Sequence, residues 1–163
     1  MTLIKHGLMI LVVGFSVAFS ALSSANEEYR LSAFTDVPGY AQIRSKDIAA
    51  AREFMSVRSQ KKLDFLELNN LCVLGVLVED FNAAIDACEV ALEKSGKSRE
   101  IGFSSKKKAL ASIHSNLAVA KALSGDLEGA HYELQMALSL NSRDTNVILN
   151  LEWLETSNLV AGL

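Results

Sequence analysis

Few residues in this chain have a type and spacing suited to chemistry. Cys72 and Cys88 are the only cysteines. An even count suits a disulfide where the compartment is oxidising, and two buried thiols packing as small apolar groups are the alternative. There is no Cys-x-x-Cys, so a redox-active pair is not expected. The histidines are His6, His114 and His131. No cysteine or carboxylate completes a ligand set around them in His-x-x-x-His or similar spacing, so they read as structural and no metal site is expected. Gly-x-Ser-x-Gly, a P-loop, Gly-x-Gly-x-x-Gly and His-Glu-x-x-His are all missing from the sequence. Glu79-Asp80 and the pair Glu152 and Glu155 read as turn or helix-surface residues. The expectation is therefore no catalytic residue, no cofactor and no enzyme activity of its own. Lys106-Lys107-Lys108 reads as a solvated helix face, being shorter than the basic runs that hold anionic lipid.

Composition narrows the classes further. At 163 residues the chain suits one domain. Pro38 is the single proline, which excludes collagen-like and proline-rich disordered readings. The formal net charge of −3 offers no basic surface for nucleic acid, and 7% aromatic content is thin for base stacking. Mean hydropathy is +0.21, raised by one segment. Residues 1–25 read as a secretory signal: Lys5 in the leading stretch, an uncharged apolar run from Leu8 to Leu22, then Ser23-Ser24-Ala25 before Asn26. The run is shorter than the about 20 residues a spanning helix needs, which disfavours a retained anchor. Removing 25 residues from 163 leaves 138, and losing Lys5 shifts the net charge from −3 to −4. The remaining 26–163 form one domain, with membrane contact only through the signal before cleavage.

The elements that must position these residues are helices. Ala, Leu, Glu and Lys dominate, and sustained period-2 alternation is missing. Phe81, Ala84, Ile85, Cys88, Ala91 and Leu92 recur at helical spacing, as do Leu127, Ala130, Leu134, Ala137 and Leu138. Gly96 suits a left-handed helix end and Asp126 a helix N-cap. A block repeats. Asn70-Leu71 and Asn116-Leu117 each precede an alanine by 14 residues, at Ala84 and Ala130. Each of those is followed seven residues later by Ala-Leu, at Ala91-Leu92 and Ala137-Leu138.

This pattern resembles the tetratricopeptide repeat, a 34-residue helical hairpin with small residues where its two helices cross. The matching positions are Leu71, Cys72, Ala84 and Ala91 in one copy and Leu117, Ala118, Ala130 and Ala137 in another. A weaker copy places Gly39 and Ala51 at the small positions, with Lys46-Asp47-Ile48 as the turn and Pro38 shortening the first helix. The resemblance implies an all-α, right-handed helical-hairpin solenoid with repeats at about 32–64, 65–96 and 111–143. Ser95–Ser105 would be a loop or an extension of the flanking helices. A C-terminal helix over 144–157, started by Asp144, would cap the stack.

The resemblance also implies which residues face a partner. Tyr40, Asn69, Asn70, Val73, Asn116 and Val119 would line a concave groove formed by the first helices. The asparagines would either bond an extended peptide there or simply bond the adjacent helix. The cationic clamp that some relatives use for a terminal carboxylate is missing, because Asp36, Tyr40, Ser112 and Asn116 hold those places. The implied function is protein–protein interaction by an exported protein, periplasmic or secreted, acting as an adaptor or scaffold in a bacterial envelope. A peptide-binding, chaperone-like module and an enzyme accessory subunit are the alternatives; the partner is a protein or peptide, not nucleic acid. In the hairpin alignment Cys72 and Cys88 face one interior from antiparallel helices, which favours the disulfide. Mass spectrometry of non-reduced protein checks it: no alkylatable thiol is expected, and two would overturn the pairing.

Overall fold

The computed structural model describes residues 29–97 and 102–161, so the predicted signal at 1–25 lies outside the described residues. Among the described residues the fold is all-helical: α1 (Tyr40–Ser45), α2 (Ile48–Ser56), α3 (Phe65–Leu77), α4 (Phe81–Lys97), α5 (Phe103–Leu123), α6 (Leu127–Leu140) and α7 (Thr145–Ala161).

Aspartates start most of these helices by accepting from otherwise unpaired first-turn amides. Asp47 caps α2 through the Ala50 N–H, and Asp64 caps α3 through the N–H groups of Leu66 and Glu67. Glu67 returns the favour by accepting from the Asp64 N–H at 2.9 Å, which completes a capping box. Asp80, Asp126 and Asp144 do the same for α4, α6 and α7.

Two turns are built alike. After α3, Glu79 takes a left-handed φ of 62° and the Asp80 N–H reaches back to the Gly75 carbonyl at 2.9 Å. After α5, Gly125 takes φ 96° and the Asp126 N–H reaches back to the Lys121 carbonyl at 2.9 Å. Each six-to-one bond satisfies a helix-end carbonyl and reverses the chain. The result is two helical hairpins, α3 on α4 and α5 on α6, with α4 packed on α5 and α7 against α5 and α6.

Close packing in both hairpins depends on small residues. Ala84, Ala87 and Ala91 are fully buried on α4. Ala111, Ala118, Ala130 and Ala137 are buried between α5 and α6. At Gly75 the two helices leave no room for a side chain, since a Cβ there would meet the Ala84 backbone at 2.9 Å. Cys72 and Cys88 join in a disulfide that ties α3 to α4 with their Cα atoms 5.3 Å apart and no exposure of either residue. Closing a loop of this length contributes about 3 kcal/mol in the chain-entropy account. Lys94 adds a second tie: its ammonium donates to the carbonyls of Gln60, Lys61 and Leu63 before α3.

Three expectations change. Gly39 is not within a first helix; it precedes α1 at φ 93°, pressed against Asn70 and Leu74, and α1 has only 6 residues. Pro38 and the left-handed Asp36 and Gly39 keep the chain non-helical up to that point. Gly96 lies inside α4 and does not end it, since the helix runs on to Lys97. The C-terminal helix also runs past 157, to Ala161.

Gly75→Ala is expected to destabilise the fold despite alanine's better helix propensity, because the added methyl meets backbone that cannot yield. Overpacking of this kind costs about 2 kcal/mol, or about 5 °C in the melting midpoint. Thermal unfolding followed by circular dichroism checks it.

Candidate polypeptide-binding groove

The helices α3, α5 and α7 stand side by side, α3 touching α5 and α5 touching α7. Besides Asn69 on α3, three asparagines are completely buried, one on each helix: Asn70, Asn116 and Asn150. Burying a carboxamide is costly unless its donor and acceptor are both satisfied. All three are satisfied by the same partner, the chain's own extended segment at 29–34.

The pairing is regular. Asn150 accepts from the Arg30 N–H at 2.6 Å and donates to the Arg30 carbonyl at 2.8 Å. Asn116 accepts from the Ser32 N–H at 2.9 Å and donates to its carbonyl at 2.8 Å. Asn70 accepts from the Phe34 N–H at 2.8 Å and donates to its carbonyl at 2.9 Å. In an extended chain every second residue turns both main-chain groups to the same side, so residues 30, 32 and 34 present one edge. Each carboxamide meets that edge as a peptide group of a neighbouring strand would.

The second amide hydrogen of each asparagine is also used. Asn116 donates it to Asn69 Oδ1 at 2.8 Å, and Asn150 donates it to Ser115 Oγ at 2.9 Å. Thus the residue preceding the clamp on one helix steadies the clamp on the next. Asn69 further donates to the Ser32 carbonyl at 2.9 Å. Asn70 directs its remaining hydrogen towards the Val37 and Pro38 carbonyls at 3.4 and 3.3 Å. These networks fix the amide orientations, because turning any of the three would set donor against donor.

Side chains of the segment also have places. Tyr29 meets Trp153 edge-to-face at 5.3 Å, Leu31 and Phe34 pack on the main core, and Ser32 Oγ accepts from Asn146 at 3.0 Å. No protein-family model, curated protein or solved structure matches this chain. The reading of the site therefore rests on its own geometry.

Of the six groove positions expected from sequence, the structure brings Asn69, Asn70 and Asn116 to the segment. Val73 and Val119 are fully buried, and Tyr40 opens α1 with its N–H on the Val37 carbonyl. Asn116 bonds both the chain's own segment and Asn69 on the neighbouring α3, whereas Asn70 bonds only the segment and the Val37 and Pro38 carbonyls that follow it. Asn150 was not expected. It lies 34 residues after Asn116, and Asn150-Leu151 repeats the Asn-Leu pairs at 70 and 116, a signal present in the sequence. The segment 29–34 carries no comparable signal.

A second polar cluster ties α5 to α6. His114 Nδ1 lies 2.7 Å from Glu133 Oε2, and Lys121 Nζ lies 2.7 Å from Glu133 Oε1. Burial pushes the Glu133 carboxyl up, but hydrogen bonds and charge from His114 and Lys121 outweigh it and hold the pKa below its ordinary value. His131 is exposed on α6. Among the described residues no three His, Cys, Asp or Glu side chains gather as metal ligands.

A carboxyl depressed on folding contributes stability above its unfolded pKa, and this is lost as pH falls through the folded one. Wild type is expected to exceed Glu133→Gln by about 2 kcal/mol at neutral pH, typical of charge-assisted bonds. The gap should close as pH drops below the ordinary carboxyl value of 4.5. Urea unfolding of both proteins between pH 7 and 3 measures it; a pH-independent gap would count against the assignment.

Proposed function

We propose that this chain is an exported helical-repeat protein of the tetratricopeptide kind that works by protein–protein interaction, as an adaptor or scaffold of the cell envelope. Its inner face, formed by α3, α5 and α7, holds an extended polypeptide. The observation that carries this reading is the ladder of Asn70, Asn116 and Asn150, each taking both main-chain groups of one residue. Bonds to main-chain atoms are available to any extended chain, as when a strand is added to a sheet edge. The same feature supports the chaperone-like version of the activity. Export is supported by the signal-like residues 1–25 and by the buried disulfide, which needs an oxidising compartment to form and persist.

The test uses the chain's own segment as the probe. A protease site placed between the exposed residues Thr35 and Asp36 allows the folded protein to be nicked. A labelled peptide spanning residues 29–35 is then expected to exchange into the groove, altering the emission of Trp153, the only tryptophan. Asn116→Ala removes two direct bonds of about 1 kcal/mol each and is expected to weaken that binding at least about tenfold. A nicked protein that takes up no peptide, or one indifferent to Asn116→Ala, would overturn the proposal.

A further inference from the structure

We infer that the segment 29–34 is an exchangeable arm, and that the groove's partner in trans is the same arm from a second copy of this chain. The inference rests on the reading of the groove as a site for extended polypeptide, and it names the polypeptide.

The groove fits this sequence beyond its main chain. Trp153 meets the ring of Tyr29, Asn146 meets the hydroxyl of Ser32, and the core surface accepts Leu31 and Phe34. Arg30 is exposed. The six-residue sequence Tyr29-Arg30-Leu31-Ser32-Ala33-Phe34 thus satisfies the site. Every copy of the protein carries that sequence.

The arm is also attached in a way that permits exchange. None of residues 29–34 is fully buried, whereas the asparagines that hold them are. The connection through Thr35, Asp36 and Pro38 is exposed. Asp36 holds a left-handed φ of 59°, a conformation a non-glycine residue adopts at a cost, which an opened hinge relieves. Gly39, by contrast, is buried against Asn70 and Leu74 and anchors the far side of the hinge. A short, strained connection next to a self-complementary segment is the condition under which identical chains exchange elements about a twofold axis. Reciprocal exchange re-forms every groove contact and loses none. The closed form is favoured only by the high effective concentration of a tethered arm, so exchange must grow with protein concentration.

The experiment places one added thiol on each side of the Ser32–Asn146 contact, in the full chain with the native disulfide intact. Oxidising a mixture of Ser32→Cys protein and Asn146→Cys protein is expected to give a mixed disulfide dimer, in a yield that rises with concentration. The double variant Ser32→Cys/Asn146→Cys is expected to close within one chain when dilute. Closure of the double variant with no mixed dimer at any concentration would overturn the exchange and leave the groove reading standing. No closure in either would overturn both. Light scattering on the unsubstituted protein is an independent check: a rise from one chain towards two with concentration is expected, and a fixed single-chain mass would overturn the inference.

Discussion

A buried carboxamide must find both a donor and an acceptor, and most of what is particular to this fold answers that requirement. Asn70, Asn116 and Asn150 are sealed from water on three adjacent helices. Their own helices cannot satisfy them, since the backbone groups there are already paired. The extended residues 29–34 supply what is missing, one residue per asparagine, with the main-chain groups of the residues between them turned away. The interaction runs both ways. Among the described residues the segment has no strand partner, so without these three side chains and Asn69 its inward main-chain groups would lack bonds too. Each half of the contact makes the other affordable to bury, and the segment links α7, α5 and α3 across more than 100 positions of sequence.

For the ladder to form, the three helices must stand in fixed register, and the hairpins enforce that. Left-handed Glu79 and Gly125 reverse the chain after α3 and α5, and Asp80 and Asp126 start the next helix immediately. Alanines and Gly75 let the paired helices approach closely, because a larger side chain at those contacts would hold the axes apart. The disulfide fixes one hairpin, and the Glu133 bonds to Lys121 and His114 brace the other from its flank. The second-layer contacts, Asn69 to Asn116 and Ser115 to Asn150, then pass the register from helix to helix. On α7, Leu149 occupies the corresponding position before the clamp.

Much of this was legible in the residues. Helical spacing located α4 and α6, and the recurrence of Asn-Leu, small residue and Ala-Leu marked the two hairpins that pair them with α3 and α5. Asp126 and Asp144 announced two helix starts through their short acceptor side chains. Local patterns of this kind are readable because they depend on neighbours three or four positions away. Gly96 shows the limit: a glycine suits a helix end, but packing along α4 carried the helix through it. Gly39 shows another. It fits the small position of a repeat by spacing, yet the backbone there is left-handed and lies outside any helix.

The sequence by itself determined an all-α chain, its two main hairpins and the place of both cysteines within one of them, and it singled out Asn69, Asn70 and Asn116 as candidates. It could not say what those asparagines would bond. An asparagine on an apolar helix face has the same local signature whether it meets a neighbouring helix, a ligand or a distant part of its own chain. Only the tertiary structure decided between them, by bringing residues 29–34 back across α7, α5 and α3. That choice depends on contacts between positions as far apart as Arg30 and Asn150, where no periodicity or spacing carries information. It also added Asn150 to the site, because a clamp is defined by what it faces, and that is set by the packing of whole helices.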